Sequence, residues 1–362
     1  MVKNVYIHIP FCKQKCKYCS FVSFPCIEKK SGYLDALKKE IKSKYKGEKI
    51  ETLYFGGGTP SLLEIHEVED LVNIFNREDF YETTFELNPE TVDEKYLKSL
   101  HKIGINRLSI GCQSFDDEIL KNIGRIHNSK QVINVVKLAK SAGFENINLD
   151  FIYGLPNQSC ESFVNDLKLA AELDIQHISL YGLKIEEGCF FYKNPPKNIA
   201  DSDLQADMYL DAIKTLFEKN FEHYEISNFS KNGCNSKHNT NYWDNNSYYG
   251  FGLAAHGYTD GYRYSNSAVL EDYIQNPCEP FYSHKLTKQE QLEEEIFLGF
   301  RKMKGIDLIN INSKYDIDFE KKYSTILSKY LKSGHILKDG NFYKLSIEGV
   351  LVSNIILADF LE

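Results

Sequence analysis

The sequence predicts an α/β fold, and two observations carry the prediction. Over about the first 225 residues, short apolar runs alternate with amphipathic segments, the pattern of βαβ units around a parallel sheet. From Lys288 onward the pattern changes to helices followed by a short hairpin, which marks a second, smaller α+β domain.

The strand candidates are Val5–Ile9, Thr52–Phe55, Thr84–Leu87, Arg107–Ile110, Ile147–Phe151 and His177–Tyr181. Helix-like stretches lie between and after them: Gly32–Tyr45, His66–Phe75, Glu94–His101, Gln131–Ala142, Glu161–Leu173 and Asp203–Lys219. Some six units suggest a barrel or an incomplete barrel, with functional residues at the C-terminal strand ends. Gly56 follows the second strand, Glu86 ends the third and Asp150 nearly ends the fifth. Residues 226–287 are rich in Asn, Tyr, Gly and Ser and show little period, so an irregular region packed over the barrel mouth is expected there. Its many aromatics disfavour disorder. Beyond it, Glu290–Lys302, Phe319–Tyr323 and Ser324–Ser333 read as helices, with a hairpin of His335–Leu337 and Phe342–Leu345 and a last helix over Ser346–Phe360. The expected division is therefore 1–225, 226–287 and 288–362, the last unit winged-helix-like. Its acidic run Glu293-Glu294-Glu295 disfavours DNA binding.

Composition bounds the function classes. Hydrophobic residues make up 42% and charged residues 26%, ordinary for a soluble globular protein. No apolar run approaches the roughly 18 residues of a membrane span, and the start runs into a strand rather than a signal-peptide apolar region. A net charge of −8 argues against a general nucleic-acid surface. Nine cysteines, odd in number and mostly scattered, fit a reducing cytoplasm better than a disulfide framework. Cys26, Cys112, Cys160, Cys189, Cys234 and Cys278 are expected to be buried or incidental.

Cys12, Cys16 and Cys19 have the spacing C-x3-C-x2-C. Three thiolates on one short loop can hold three irons of a [4Fe–4S] cube and leave the fourth without a protein thiolate. Such an iron is a Lewis-acidic position. The same spacing would also suit three buried cysteines on one helix face. Against that, Val5–Ile9 alternates like a strand, Pro10 ends it, and Lys13, Lys15 and Lys17 suit a solvated loop that favours thiolates. A zinc site completed by His8 or Cys26 is the other alternative. Gly56-Gly57-Gly58-Thr59-Pro60 follows a strand and permits close backbone approach to a ligand, or simply a tight turn.

The cysteine motif and the run Tyr6-Ile7-His8-Ile9-Pro10-Phe11-Cys12 resemble the radical S-adenosylmethionine (SAM) superfamily, in its branch around oxygen-independent coproporphyrinogen III dehydrogenase and the heme chaperones called HemW. The resemblance implies a partial (β/α)6 barrel with the cluster on Cys12, Cys16 and Cys19. It implies SAM bound at the open iron and cleaved, on reduction, to methionine and a 5′-deoxyadenosyl radical. Gly57, Gly58 and Thr59 match the element that holds the methionine end of SAM. Glu86, in Glu-Leu-Asn-Pro, matches a carboxylate that contacts SAM, and Gln113 a polar contact at another strand end. Arg125 matches the arginine that pairs with the SAM carboxylate, an interaction suited to guanidinium. Asp150 matches the acid near the adenosine, and Tyr6 and Tyr18 are implied contacts, partly through backbone.

Two departures separate the branches. The dehydrogenase carries a further Cys two places after the third, where this chain has Phe21, and an extended arm before the cluster strand, which this sequence does not show. His238-Asn239-Thr240-Asn241-Tyr242-Trp243 matches the HNxxYW element of the heme chaperones. The resemblance thus favours a heme chaperone, with heme as cargo and an apo-hemoprotein such as a respiratory cytochrome as recipient. Porphyrinogen dehydrogenation is the alternative. His238, read as lying on a loop beside an aromatic wall, is the candidate heme ligand, with His256 second. Flavodoxin or ferredoxin would donate electrons if SAM is cleaved. No nucleic-acid partner is expected, and peripheral membrane contact stays open.

Overall fold

A computed structural model of the chain describes residues 2–76 and 82–361. Six parallel strands carry the main domain: β1 (Asn4–Ile9), β2 (Thr52–Gly57), β3 (Glu82–Leu87), β4 (Arg107–Gln113), β5 (Asn146–Tyr153) and β6 (His177–Gly182). They pair in sequence order, each with the next. That order is what right-handed βαβ crossovers of one hand produce, and it curls the sheet into an open barrel. The helices Lys30–Lys44, Ile65–Val72, Glu94–Lys102, Ser129–Ser141 and Cys160–Glu172 connect successive strands. Several are stopped and started by their own side chains. Asn128 with Gln131 and Ser159 with Ser162 form reciprocal capping boxes.

Alternation across the strands divides the two faces. Val5, Ile7 and Ile9, Leu53 and Phe55, and Leu108 and Ile110 are fully buried under the helices. Their neighbours Asn4, Thr52, Thr84, Arg107, Ser109, Asn148, His177 and Ser179 line a polar lumen. Strand period makes this possible, because successive side chains point to opposite faces.

Residues 226–287 correct the expectation of an irregular lid. The antiparallel pair β7 (Glu222–Glu225) and β8 (Asn228–Ser230) joins the sheet beside β6, so the expected boundary at 225 falls inside a hairpin. Strand β9 (Tyr249–Phe251) pairs in parallel with β1 at the opposite edge. The sheet order is therefore β7-β8-β6-β5-β4-β3-β2-β1-β9. A separate antiparallel sheet follows: β10 (His256–Thr259), β11 (Tyr262–Ser265) and β12 (Tyr282–Lys285).

Buried Glu40 ties this region to the barrel. Its carboxylate accepts from the Gly252 amide, Asn266, Lys44 and the Tyr273 hydroxyl. A buried charge is tolerated when it is paired and hydrogen-bonded in this way.

The C-terminal unit has its own core, with Ile296, Phe300, Phe319, Ile336 and Phe360 almost fully buried. Its helices include Lys288–Gly299, Leu308–Tyr315, Phe319–Lys322 and Ser324–Lys332, packed with a small sheet of β13 (Ile306–Asp307), β14 (Ile336–Asp339) and β15 (Phe342–Leu345). The expected last helix is two, Ile347–Leu351 and Ser353–Ala358, broken at Val352, whose φ of −116° leaves the helical range. Among the described residues no helix is long and apolar enough to cross a membrane.

Candidate functional site

The loop after β1 carries the three cysteines at the C-terminal end of the barrel. Backbone bonds from Phe24 N–H to Pro10 O (2.7 Å) and from Cys12 N–H to Phe24 O (3.1 Å) close its base. Lys17 N–H donates to Ile123 O, and the Gln14 amide donates to Gly124 O, pinning the loop to the turn before Arg125. His8 is its strut. Burial lowers the His8 pKa to about 4, so the ring is neutral. Nε2–H donates to Val22 O, and Nδ1 accepts from the Tyr6 hydroxyl. Both ring nitrogens are thus engaged, which removes His8 as a fourth metal ligand. No set of three or more His, Cys, Asp and Glu side chains among the described residues is arranged around one mononuclear ion.

Cys12, Cys16 and Cys19 line a cavity of about 500 Å³ together with Tyr18, Gly57, Gly58, Thr59, Glu86, Gln113, Arg125 and Asp150. Gly57 has φ +112°, and a Cβ there would lie 2.5 Å from the His8 ring. A Cβ on Gly58 would lie 2.7 Å from Phe11 O. Both positions therefore need glycine, and the bare backbone faces the cysteines. Thr59 Oγ1 donates to Cys12 Sγ at 3.5 Å. Burial pushes the Cys19 thiol up to about 11.

Arg125 reaches the same cavity. It donates to Asn88 Oδ1 (2.7 Å) and Gly111 O (2.8 Å) and points Nη1 at Cys16 Sγ, 3.7 Å away. Burial opposes its charge, but Tyr18, Cys16 and Glu90 outweigh that and keep it protonated. Asn88 in turn donates to Thr59, joining the glycine element to the arginine. Gln113 sits at a register shift in β4 with φ +69°, which turns its side chain to the cavity.

Two carboxylates face the same space. Glu86 accepts from the Tyr54 hydroxyl (2.7 Å) and the Gly57 amide (3.1 Å). Its pKa rises to about 7, because burial outweighs those bonds and Asp150 adds a like charge. Asp150 accepts from Ser109 (2.9 Å) and Asn148 (2.8 Å), and burial raises it too. A cation in this cavity would hold both ionised. The donor set, three thiols over bare glycine backbone with a guanidinium on one side and two acids on the other, fits a thiolate-bound cluster and a zwitterionic, cationic ligand.

The structure leaves three predicted residues outside the cavity lining. Tyr6 lies below, its hydroxyl on His8. His238 is the larger correction. It lies not on a loop but on the helix Lys237–Trp243, which closes the opposite end of the barrel, where the strands begin. The Glu82 carboxylate accepts from the Lys237 and His238 amides at that helix start. The His238 side chain is 1% exposed and lowered to about 3 by burial and then by Arg107. Since Thr52 Oγ1 donates to Asn4 Oδ1, His238 Nδ1–H donates to Thr52, and Nε2 accepts from Tyr242. No ring nitrogen faces a heme-sized space. His256 is exposed on β10. Tyr54, Asn88 and Ser109 went unpredicted. Only the position of Tyr54 and Asn88, two residues from Gly56 and Glu86, could have pointed to them, and no such signal marks Ser109.

Comparison with known proteins accords with this arrangement. Residues 6–170 match the Radical SAM superfamily and residues 286–352 match the HemN C-terminal domain. The heme chaperone HemW of Bacillus subtilis is 35% identical, with 99% of each chain aligned. The chain belongs to the HemW heme-chaperone family. Its relative from Lactococcus lactis is also 35% identical, over 99% of this chain and 97% of that one, and that from Escherichia coli is 37% identical over 70% and 69%. The fold is also that of the E. coli radical SAM enzyme coproporphyrinogen III oxidase, HemN, with a TM-score of 0.88 over 99% of this chain and 90% of that one, at 23% identity.

Proposed function

We propose that this HemW-family chain is a heme chaperone that carries a [4Fe–4S] cluster, binds SAM and passes heme to an apo-hemoprotein such as a respiratory cytochrome. The observation that carries the reading is the convergence of Cys12, Cys16 and Cys19 with Gly57, Gly58, Thr59, Glu86 and Arg125 on one cavity. In this reading the three thiolates hold the cluster, which when reduced supplies the electron that can cleave SAM. Arg125 pairs with the SAM carboxylate, the Gly57–Gly58 backbone and Thr59 hold its methionine end, Gln113 makes a polar contact from the end of β4, and Asp150 lies near the adenosine. Glu86 holds a cationic centre of the ligand.

Porphyrinogen dehydrogenation is the lesser reading, because Phe21 stands where the dehydrogenase pattern has a further Cys. Phe21 is 67% exposed at the cavity rim, an apolar surface that suits a macrocycle. The cytoplasm is the proposed location, and an acidic flavodoxin or ferredoxin the proposed electron source if SAM is turned over.

Anaerobic reconstitution followed by parallel heme titration and a coproporphyrinogen III assay tests this. Heme binding with no decarboxylation is the expected result. SAM-dependent decarboxylation of coproporphyrinogen III by the reconstituted protein would overturn the chaperone reading.

A further inference from the structure

One ring links the HNxxYW helix to the cofactor cavity at the other end of the barrel. Tyr54 points into the lumen from β2. Its hydroxyl donates to Glu86 Oε1 at 2.7 Å, and Glu86 Oε2 accepts from the Gly57 amide. Its ring stacks on His238, with centroids 5.0 Å apart and planes 29° apart. Tyr6, on the neighbouring strand, stacks on the same ring at 6.0 Å and 29°. Gly56 leaves this group its space, since a Cβ there would lie 2.9 Å from Tyr54 Cε1 and 3.0 Å from Glu86 Oε1. Any side chain at this position would crowd both the ring and the carboxylate.

His238 has little slack below. Thr52 and Tyr242 hold its two nitrogens at 2.7 Å each, and Glu82 holds the helix start. The neutral imidazole is thus a fixed flat wall, and the Tyr54 ring rests against it with its hydroxyl on Glu86. A swing of the ring about χ1 would carry its hydroxyl off the carboxylate, which is otherwise held by one backbone amide, whereas a spin about the ring's long axis would leave the hydroxyl oxygen in place.

We propose that His238 is a positioning residue of the SAM site, setting where the Tyr54 ring lies and, through its hydroxyl, the orientation of Glu86. The HNxxYW element then tunes SAM binding from the closed end of the barrel rather than ligating heme. The inference rests on the reading of Glu86 as a SAM contact.

Calorimetry with SAM on the anaerobically reconstituted protein tests it, alongside a Soret titration with heme. Glu86→Gln reports on the underlying reading. His238→Gln keeps hydrogen-bonding groups but loses the ring, and His238→Phe keeps the ring. Tyr54→Phe keeps the stack but loses the hydroxyl. His238→Gln and Tyr54→Phe should each weaken SAM about threefold to tenfold. Their double variant should be no weaker than the worse single, because both break one linkage. His238→Phe should recover most of the affinity, and all His238 variants should keep the parental Soret spectrum.

If Glu86→Gln weakens SAM but His238→Gln does not, or if the two penalties multiply, the positioning role is wrong and the SAM site stands. If Glu86→Gln binds SAM like the parent, the reading of that site fails and the inference falls with it. Loss of the Soret band in both His238 variants with unchanged SAM affinity would make His238 a heme ligand instead.

Discussion

The two ends of the barrel use the same residue types for opposite purposes. At the closed end Glu82, His238, Asn4, Thr52 and Asn241 bond one another or a helix start, and this cluster of side chains is buried to 8% exposure or less. At the mouth Glu86, Asp150 and Arg125 are also largely buried, yet they border a cavity of about 500 Å³ and keep coordination directed into it. Burial raises the carboxylates Glu86 and Asp150 at the mouth, outweighing the bonds from Tyr54 and Gly57 to one and from Ser109, Asn148 and Ser179 to the other. The contrast teaches that a buried His or acid is a site candidate only when its remaining valence faces space. At the closed end His238 has both ring nitrogens bonded and Glu82 both oxygens, which marks structure, although Asn241 Nδ2 in the same cluster has no partner among the described residues.

The strongest test of the mouth removes its thiolates. A triple Cys12→Ala, Cys16→Ala and Cys19→Ala variant should lose the cluster altogether, read as iron and sulfide content and as the reduced-state EPR signal. Retained iron and sulfide would sink the assignment. Next in size, Arg125→Ala should weaken SAM binding by roughly 1.5–3 kcal/mol, the scale of a lost charge-assisted pair. Its Asn88 and Gly111 partners sit at the solvated cavity, so the fold should survive. Calorimetric affinity equal to the parent's would exclude Arg125 from the site.

Much of the mouth was legible because its signals are local. The spacing of Cys12, Cys16 and Cys19, the run Gly56–Pro60 and the six alternating strands each sit within a few residues of sequence. Tyr54 and Asn88 were not legible, because their roles arise from register. Tyr54 pairs with Thr84, which places its hydroxyl beside Glu86 two residues on. Asn88 acts only by bridging Thr59 and Arg125 from another unit. The strands at 228–230 and 249–251 are three residues long, too short to show a period, so their region read as irregular. His238 was misplaced for a different reason. The motif read as a loop because it spans under two helical turns, and topology alone decides which end of the barrel the helix closes.

A smaller effect probes the closed end. Glu82 accepts from the Ser236 hydroxyl and from the Lys237 and His238 amides, so Glu82→Ala removes the acceptor of three donors, two of them buried. Stability should fall by about 1–3 kcal/mol, the cost of a lost cap with unsatisfied donors. Chemical denaturation reads it, and cluster content should stay parental. A variant that unfolds at the parent's denaturant concentration would show that the helix needs no cap there.

The smallest predicted effect sharpens the contrast most, because it titrates the open valence of Glu86. Its pKa in the folded protein is raised to about 7 by burial. A cationic ligand beside it favours the ionised form, so binding releases a proton wherever the free protein is still protonated. Affinity must then rise with pH and level off above the folded pKa. If only the ionised form binds, SAM should bind about tenfold more weakly near pH 6 than near pH 8. The sign for stability is opposite. The raised carboxyl binds its proton more tightly in the folded state than in the unfolded one, so its contribution favours folding at low pH and is lost as pH rises through about 7. SAM carries titrating groups of its own, so the informative quantity is the difference between the parent and Glu86→Gln. The glutamine variant should bind SAM more weakly and lose the parent's tenfold slope. Parallel pH profiles for the two proteins would mean that Glu86 is as closed a residue as Glu82, and that the two ends of the barrel differ less than the cavity suggests.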